Sequence, residues 1–393
     1  MSIVKLVIYG MHPIPYQAPI FKKVSQLPQL DVTVLYGESL GVELNFIPGF
    51  NTSLKWDVPM LDGYRHHFFK NYSKKRITGF FSRVNPGIFW YILRKDFDVL
   101  LIHGHFTFTA WLAFFAAKIS GKKIIIRGEA IPKKEAIGWK KALGRYVLRF
   151  YISAVDAVMY SCSRNKSYWL SLKVPEEKMF FISCAVDNAH LQKEKQRLLP
   201  DREKMRESLG IKHKDFVVLF CSRFTHRKRP LDLIDAVESL GLCNIVVLFV
   251  GDGPNKKDME FASKNKNIRV IFTGFINQSY LPRYYNIANC YAILSEYDAS
   301  PKTLNEALNF GLPIICSDMV GTSDDLVRHN HNGFVVKVGD IEDIAQRLKI
   351  LSKSRTLALK MGKCSEILVR DWNFDQNAQA ISEACDFTLS KSS

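Results

Sequence analysis

The sequence lacks the features that mark secreted, membrane-spanning or metal-stabilised proteins. Its eight cysteines form no Cys-x-x-Cys pair, and several lie inside apolar runs, so we expect reduced core thiols and no disulfide framework or zinc site. The start, MSIVKLVIYG, is too short and too strand-like for a signal peptide. The longest mostly apolar run, 106–117, is well below the roughly 20 residues of a membrane span. These absences predict a cytoplasmic protein that is soluble or at most attached to a membrane surface.

Acidic residues are scarce in the first half of the chain. Residues 1–200 hold 29 Lys+Arg against 14 Asp+Glu, a net charge of +15, whereas residues 201–393 hold 26 against 24. A basic half predicts an anionic partner, which can be a nucleic acid, an acidic membrane face or a phosphorylated substrate; a lysine-rich solvated surface is the alternative. The chain has no RRM, KH, helix-turn-helix or zinc signature, so nucleic-acid binding is kept as a competing class and is not expected.

Short apolar strands alternate with helical patterns along most of the 393 residues. This alternation predicts parallel sheets that are covered by helices on both faces. It indicates an α/β protein with two Rossmann-like, doubly wound domains. We place the N-terminal domain at 1–190 and the C-terminal domain at 191–370. The segment 371–393 is expected to form a helix that packs back towards the N-terminal domain. In such sheets ligands bind beyond the carboxyl ends of the strands.

A cluster of cations follows one predicted strand, FVVLF, in the stretch CSRFTHRKRP. Arg223, Arg227, Lys228 and Arg229 lie within seven residues there. Arginine offers planar bidentate contacts to phosphate and lysine a compact charge, so the cluster is typical of a diphosphate clamp. A basic turn that faces water is the alternative. The nearby stretch VGDGP allows close backbone approach at Gly251 and Gly253, but on its own it favours a simple strand-to-helix turn.

Two acids bracket a predicted helix start in SEYDASPKTLNEALNFG. We predict a helix over Thr303–Phe310, capped by Ser300, with Pro301 in the first turn. The exposed N–H groups of such a helix start attract an anion such as phosphate. Asp298 lies just before the helix and Glu306 one turn inside it, so both can reach hydroxyl groups on either side of a phosphate. Simple pairing of acids with the helix dipole is the alternative.

Polar residues also follow strands of the N-terminal half, in YGMHPIPYQAP, IHGHF and IRGEA. They are expected to converge on the carboxyl edge of the first sheet: His12, His103, His105, Arg127 and Glu129. The His-x-His pair could suggest a metal, but no third ligand has metal-like spacing. We therefore expect no metal, and we expect a histidine here to be a hydrogen-bonded structural residue.

In this order and spacing, the motifs resemble the retaining nucleotide-sugar glycosyltransferases of the GT-B fold, family 4, also described as glycosyl transferases group 1. The resemblance covers nearly the whole chain and is strongest over 215–344. It implies two Rossmann-like domains that face a cleft. It further implies that Arg223 and Lys228 hold the donor diphosphate, that Asp298 contacts the donor hexose, and that Glu306 contacts the ribose hydroxyls. The remaining donor-binding positions that it implies are Gly251, Gly253, Phe272, Gly274, Phe275, Ser300, Lys302, Thr303 and Leu304.

The chain departs from the family pattern at two places. The family has Glu-x7-Glu followed by Gly-Phe-Gly after the first acid, whereas this chain has Asp298 and then Ala299-Ser300-Pro301. These changes leave the donor sugar open. Many members carry a histidine after the strand that ends here in IIIRGE, where this chain has Arg127 and Glu129. We therefore assign no catalytic histidine.

The resemblance implies transfer of a hexose-type sugar, with retained anomeric configuration and without a metal cofactor. We expect a lipid-linked or polysaccharide acceptor in cell-surface glycan synthesis, bound by the basic N-terminal domain. The segment 132–153, which contains four lysines, two arginines and several aromatic residues, could rest on an anionic bilayer or pack on the sheet with a basic outer face. A GT-B sugar-nucleotide epimerase or phosphorylase is the alternative enzyme class.

Overall fold

The computed structural model describes residues 3–47, 52–73, 79–132, 139–264, 266 and 268–390. It divides the chain into two compact units. The first consists of 1–45, 54–183 and 374–393, and the second of 46–53 and 184–373. Each unit is built around one parallel β-sheet.

The first unit is a seven-stranded parallel sheet with helices on both faces. The strands of this half of the chain are β1 Val4–Gly10, β2 Leu30–Tyr36, β3 Asn45–Ile47, β4 Thr52–Leu54, β5 Arg65–Phe68, β6 Val99–His103, β7 Lys123–Arg127, β8 Ala157–Tyr160 and β9 Met179–Phe181. Its helices are α1 Ala18–Ser25, α2 Gly87–Arg94, α3 Phe108–Ile119, α4 Trp139–Ser153 and α5 Ser163–Ser171, with a short helical turn at Phe80–Ser82. The sheet order is β5-β2-β1-β6-β7-β8-β9, and β3 and β4 form a separate two-stranded sheet.

The central strands β1, β6 and β7 are largely buried because helices cover both faces, whereas the edge strand β5 has the sequence RHHF and is mostly exposed. Strands β1 and β6 lie side by side at the sheet centre, and the chain order runs outward from them in opposite directions. Such a switch point opens a crevice at the carboxyl ends of the two strands. His12 and His103, which follow or end these strands, therefore lie at that crevice.

The second unit has a six-stranded parallel sheet. Its strands are β10 Phe216–Cys221, β11 Ile245–Val250, β12 Arg269–Phe272, β13 Cys290–Ile293, β14 Ile314–Ser317 and β15 Gly333–Val336. Its helices are α6 Asn188–Leu198, α7 Arg202–Ser208, α8 Pro230–Leu240, α9 Lys256–Lys264, α10 Leu281–Ile287, α11 Lys302–Asn309, α12 Ser323–Leu326, α13 Ile341–Lys353 and α14 Arg355–Leu368. The order β12-β11-β10-β13-β14-β15 places its switch point between β10 and β13.

The last helix, α15 Phe374–Ser390, belongs to the first unit although it follows the second in sequence. It packs against α1, β7 and β9. Asn377 is buried at this contact and exchanges two hydrogen bonds with Ser183, whose hydroxyl donates to its amide oxygen and whose carbonyl accepts from its amide nitrogen, both at 3.0 Å. This pairing fixes the helix on the end of the chain segment that completes the sheet. Over the described part of the chain, no helix combines the length and apolarity that crossing a bilayer demands.

Replacing Asn377 with Ala should lower the free energy of unfolding by about 1–3 kcal/mol, because the buried groups of Ser183 then lose their partner. Urea unfolding followed by circular dichroism measures the change. Gln379→Ala is the matched control, since Gln379 lies on the same helix and is exposed. Equal stability of the two variants would contradict the assigned role of Asn377.

Candidate functional site

Two loops meet at the switch point of the second unit. One follows β10 and carries Arg223 and Lys228, and the other follows β13 and carries Asp298. Because β10 and β13 are paired in parallel, their carboxyl ends lie at the same edge of the sheet. The sequence therefore brings its cation cluster and its first acid together by topology alone.

The loops are joined directly by three polar contacts. Lys228 forms an ion pair with Asp298, and each of these side chains is only 14% exposed. The guanidinium of Arg227 donates to the carbonyl of Tyr297, and the amide of Glu296 donates to the carbonyl of Arg227 at 3.0 Å. A partly buried ion pair with further hydrogen bonds holds both loops in one conformation.

The site has a positive character that Asp298 only partly offsets. Partial desolvation of the Arg223 head group and the neighbouring charge of Arg227 lower the pKa of Arg223, whereas Asp298 raises it. Such closely spaced cations are stabilised when an anion binds among them.

Helix α11 begins beside this cluster, but its cap differs from the prediction. Pro301 with φ −70° and ψ 116° is the boundary residue, and no side chain caps the helix. The prediction of Ser300 as cap was wrong, because the extended ψ of Pro301 ends the loop one residue later. The buried hydroxyl of Ser300 finds no hydrogen-bond partner among the described residues. The first helical residue is Lys302, which is partly buried. The first N–H groups of α11 have no intrahelical partners, as in any helix.

Glu306 lies inside α11 and is almost fully enclosed, with 3% exposure. Tyr285 of α10 donates its hydroxyl to Glu306 Oε2 at 2.7 Å. Burial, reinforced by the negative charge of Glu306, raises the pKa of Tyr285 well above its usual value, so the hydroxyl stays protonated as a donor. Burial, with a smaller effect of Glu306, also raises the pKa of the Cys221 thiol to about 12. Tyr285, which belongs to none of the sequence motifs, thus positions the carboxylate.

The first turn of α11 is anchored to the sheet. Tyr291 of β13 donates its hydroxyl to Thr303 Oγ1 at 2.7 Å, and the side chain of Leu304 lies in the apolar core. Leu304 can therefore serve a ligand at this helix start only through its backbone N–H, because its side chain is buried. Neither Tyr285 nor Tyr291 had a signal in the sequence, since each acts through a contact between elements distant along the chain.

Gly251 and Gly253, the two glycines of VGDGP, allow the backbone of the loop that follows β10 to approach closely. A Cβ at Gly251 would overlap the carbonyl oxygen of Ser222, and one at Gly253 would lie 2.5 Å from the carbonyl oxygen of Phe224. The loops are also hydrogen-bonded, with Phe224 N–H to Asp252 O at 2.9 Å. Loop packing alone therefore explains both glycines, and their predicted contact with a donor stays a prediction.

Three of the predicted donor-binding residues, Phe272, Gly274 and Phe275, lie at the end of β12. The ring of Phe272 stacks on Phe249 with a centroid distance of 5.3 Å and an interplanar angle of 13°. Gly274 has φ +73°, and its carbonyl oxygen accepts a hydrogen bond from the N–H of Gly251 at 2.9 Å. Phe275 is partly buried. These residues share the sheet edge with Arg223 and Asp298, on the opposite side of β10 from α11.

The predicted residues of the first unit are also gathered at its carboxyl edge. Arg127 is buried and pairs with Glu129, with an N–O distance of 3.1 Å. His103 contacts Gln17 through a 3.0 Å hydrogen bond. His12 and His105 are partly buried, and burial lowers the pKa of each to about 4; the charge of Arg83 contributes for His12. Sequence reasoning missed Arg83, which forms a largely buried ion pair with Glu38.

Both histidines are therefore neutral near pH 7. Within the described ranges, no group of three or more His, Cys, Asp or Glu side chains could hold a metal ion. The segment 132–153, predicted either to rest on an anionic bilayer or to pack on the sheet, is described only in part, since residues 133–138 lie outside the described residues.

Comparison with known proteins finds relatives of this chain in sequence and in fold. Residues 201–366 match the family model described as Glycosyl transferases group 1. The UDP-Gal:alpha-D-GlcNAc-diphosphoundecaprenol alpha-1,3-galactosyltransferase of Escherichia coli is 22% identical over 301 residues, which cover 74% of this chain and 76% of the relative. The structure of Anabaena HepE in complex with UDP superimposes with a TM-score of 0.73 at 16% identity, covering 100% of both chains.

A shorter match supports the same class. The Campylobacter jejuni GalNAc-alpha-(1->4)-GalNAc-alpha-(1->3)-diNAcBac-PP-undecaprenol alpha-1,4-N-acetyl-D-galactosaminyltransferase is 28% identical over 141 residues, 35% of this chain and 39% of that relative. Two parallel-sheet units with these structural neighbours show the GT-B fold. Residues 201–366 carry the domain of the glycosyl transferases group 1 family, which confirms the resemblance found in the sequence.

Replacing Tyr285 with Phe should lower the free energy of unfolding by about 1.5–3 kcal/mol, because the buried Glu306 carboxylate loses a hydrogen bond. The rate of glycosyl transfer should fall as well, since the carboxylate is no longer held in place. Thermal unfolding and a transfer assay measure the two effects. Tyr280→Phe is the control, because Tyr280 starts the same helix and its side chain is exposed. Identical behaviour of both variants would remove Tyr285 from the site.

The low pKa values of His12 and His105 make stability depend on pH. Each folded-state pKa of about 4 lies below the ordinary value of 6.5, so the unfolded chain binds more protons between these values and stability falls as the pH drops from 6.5 towards 4. Between pH 7 and pH 5 the loss should be roughly 1–2 kcal/mol per histidine. Urea unfolding at both pH values tests this. The double variant His12→Gln/His105→Gln should show a flatter dependence, and an unchanged slope would refute the assignment.

Proposed function

We propose that the protein transfers a hexose-type sugar from a nucleotide-sugar donor to a lipid-linked or polysaccharide acceptor in cell-surface glycan synthesis, with retained anomeric configuration and without a metal. The observation that carries the proposal is the ion pair between Lys228 and Asp298. This ion pair lies beside the start of α11 and beside the cationic side chain of Arg223. This arrangement offers cations, helix N–H groups and a carboxylate at one sheet edge. A nucleoside diphosphate joined to a sugar needs those three kinds of group.

The donor diphosphate is proposed to bind between Arg223, Lys228 and the first amides of α11. Lys228 is ion-paired with Asp298. A bound diphosphate competes for the ammonium group, because it carries more negative charge than one carboxylate. Asp298 then becomes available to a hydroxyl of the donor sugar. The ion pair therefore keeps both side chains in position before the donor arrives.

Glu306 is proposed to accept hydrogen bonds from the ribose hydroxyls. Its burial and its hydrogen bond from Tyr285 fix the carboxylate, which lies about one helical turn after the start of α11. A fixed acceptor loses little conformational entropy when a ligand binds.

Retention is proposed to follow from attack on the same face that the leaving group departs from. The bond between the anomeric carbon and the diphosphate oxygen breaks, and the acceptor hydroxyl oxygen forms a new bond on that face. The acceptor proton moves to an oxygen of the departing diphosphate. Arg223, Lys228 and the helix start would stabilise the charge that develops on this diphosphate, so catalysis rests on positioning and electrostatics.

The relatives support UDP as the nucleotide and a lipid diphosphate as the acceptor carrier. HepE was obtained in complex with UDP and with UDP-glucose, and the E. coli relative is described as using UDP-Gal and an acceptor linked to diphosphoundecaprenol. We propose a UDP-hexose donor and a lipid-diphosphate-linked glycan acceptor, with the reaction at the cytoplasmic face of the cell membrane. The acceptor is proposed to bind at the carboxyl edge of the sheet in the first unit. The residues proposed to face it are His12, His103, His105, Arg127 and Glu129.

Lys228→Ala and Glu306→Gln should each reduce the rate of sugar transfer by about a hundredfold or more while leaving the protein folded, because each removes a charge from the donor site. Thermal-shift and product-release screens with UDP-, GDP-, ADP- and dTDP-sugars measure donor binding and turnover. Lys266→Ala is a matched control, since Lys266 is paired with Asp235 and Glu238 in the same unit, away from this sheet edge.

A fully active Lys228→Ala or Glu306→Gln protein would rule out the proposed donor site. Turnover of a nucleotide sugar without any acceptor, giving an isomeric nucleotide sugar as product, would instead establish the epimerase alternative.

A further inference from the structure

The second unit contains a cavity of about 690 Å³ at the edge of its sheet opposite to the candidate donor site. Phe216, the first residue of β10, lines this cavity, as do Asn289 and Pro313, which directly precede β13 and β14. The cavity therefore lies at the amino ends of these strands, whereas Arg223 and Asp298 follow the carboxyl ends. Its volume is typical of a small-molecule site. We call it the amino-edge cavity.

Positive side chains dominate the charge of the amino-edge cavity. Six of its lining residues are lysines or arginines, and two are acids. The six cations are Lys195, Arg202, Arg206, Lys214, Arg355 and Lys363. Because residues 201–393 as a whole hold 26 Lys+Arg against 24 Asp+Glu, the excess in the cavity is a local feature and does not follow from the composition of this half of the chain.

The two acids of the lining are already engaged in ion pairs. Asp215 pairs with Arg269, which is not a lining residue, at an N–O distance of 2.6 Å, and Glu366 pairs with Lys195. Three cations remain without an acidic partner among the described residues of the lining: Lys214, Arg355 and Lys363. A phosphomonoester carries a charge of about −1.5 to −2 at pH 7 and accepts hydrogen bonds from several cations at once, so it suits such a group.

The backbone at the amino edge of the sheet holds two of the arginines in place. Arg206 is 1% exposed and donates to the carbonyl oxygens of Ile287 at 2.8 Å and Asp215 at 2.6 Å. Arg202 donates to the carbonyl oxygen of Asn286 at 2.7 Å. Carbonyl oxygens carry no net charge, so these hydrogen bonds fix the guanidinium groups without neutralising them.

Like charges also act on one another within the cavity. Burial lowers the pKa of Arg202 and of Arg206, and the positive charge of Arg355 lowers both as well. Glu203 opposes this only in part, since it lies 3.2 Å from Arg202 and 4.0 Å from Arg206 with a side chain that is 44% exposed. An anion that binds among crowded cations stabilises their charged form.

Helix α14 gives the cavity a wall that is both basic and apolar. Its lining residues Arg355, Leu359 and Lys363 are spaced four apart and therefore lie on one face of the helix. Leu359 is 61% exposed between the two cations, and Leu199, which also lines the cavity, is 58% exposed. Large apolar side chains exposed in a cationic cavity fit a ligand that combines an anionic group with an apolar body or ring.

The buried part of the lining contacts the residues that hold Glu306. Tyr285 and Phe310 both line the cavity, and their rings stack with a centroid distance of 5.6 Å and an interplanar angle of 25°. Tyr285 donates its hydroxyl to the carboxylate of Glu306, and the N–H of Phe310 donates to the carbonyl oxygen of Glu306 at 3.3 Å. A molecule in the cavity would therefore touch two side chains that are directly bonded or stacked to the support of Glu306.

We propose that the amino-edge cavity binds a small organic phosphate, a phosphomonoester with an apolar or aromatic body, and that this molecule strengthens donor binding through Tyr285 and Phe310. The phosphate would lie near Arg355 and Lys363, and the body against Leu359. Restricting the two stacked rings lowers the conformational entropy that the donor site loses when it is occupied. The binding step goes beyond the proposed function, whereas its effect on the donor rests on that function.

Isothermal titration calorimetry of the full chain with phenyl phosphate tests the binding step. Phenyl phosphate should bind more tightly than inorganic phosphate, because only the former has a ring for the apolar wall. The variant Arg355→Gln/Lys363→Gln should bind it at least about tenfold more weakly, since two contacts to the phosphate are lost. Lys353→Gln/Lys360→Gln is the matched control, because it removes the same charge from exposed residues outside the lining and should bind like the unchanged protein.

The apolar wall is tested separately. Leu359→Ser should weaken the binding of phenyl phosphate about fivefold, because part of the ring loses its apolar contact, and should leave the binding of inorganic phosphate unchanged. Ile367→Ser is the control, since Ile367 is 59% exposed on the same helix and does not line the cavity. Circular dichroism and thermal unfolding confirm that the variants are folded.

Three results would overturn the binding site. The first is a titration of the unchanged protein in which phenyl phosphate does not bind. The second is equal affinity of the Arg355→Gln/Lys363→Gln variant and its matched control. The third is loss of phenyl phosphate binding in Lys228→Ala, because this would place the phosphate in the candidate donor site.

Titrations with UDP test the effect on the donor. UDP should bind about fivefold more tightly when phenyl phosphate saturates the cavity, and UDP should tighten phenyl phosphate binding by the same factor, because coupling between two sites is reciprocal. Arg355→Gln/Lys363→Gln should lack this effect. Weaker UDP binding would indicate competition for one site and overturn the proposal, and an unchanged UDP affinity would overturn the effect on the donor. A protein that binds phenyl phosphate in the cavity but no nucleotide sugar would overturn the proposed function and support the binding site.

Discussion

The ion pair between Lys228 and Asp298 joins the two loops on which the candidate donor site depends. It can form only because β10 and β13 are parallel neighbours, so that loops 70 residues apart in sequence start from the same edge. The remaining parts of the site depend on the position of β13 as well. Helix α11 begins after the loop that carries Asp298, and Tyr285, which donates to Glu306, lies on the helix that precedes β13. Topology thus determines which residues meet, and local contacts determine how firmly they are held.

The two units use the same edge of their sheets in different electrostatic ways. In the first unit, burial keeps His12 and His105 neutral, and the charges of Arg127 and Arg83 are paired with nearby acids. In the second unit, cations are crowded and Asp298 compensates only part of their charge. One edge therefore resembles a neutral, hydrogen-bonding surface, and the other a receptor for a polyanion. Doubly wound sheets allow this because the loops vary while the strands do not.

Much of this organisation could be predicted from the sequence, because it follows from strong local patterns. Apolar runs separated by helical patterns predicted the strands. Arg223, Lys228 and Asp298 each follow such a run, which predicted that they lie at the same edge of the sheet. The contacts of Tyr285 and Tyr291 could not be found in this way, since neither the spacing nor the residue type distinguishes them from core tyrosines. The cap of α11 was misplaced because Ser300 has the stronger intrinsic preference, whereas the backbone of Pro301 sets the boundary. The sequence also did not determine which residues of α4 face outward, because composition alone cannot distinguish an apolar residue in the core from one at the surface.

The return of α15 to the first unit has a consequence for biosynthesis. A ribosome releases residues 374–390 only after the whole second unit has emerged, so the first unit lacks one of its covering helices during most of translation. The contact sites of α15 on α1, β7 and β9 remain uncovered in that interval. The second unit, by contrast, is nearly continuous in sequence over 184–373 and can complete its sheet without waiting. The first unit, although its sheet is synthesised first, therefore cannot complete its helix packing until the chain has been synthesised through Ser390.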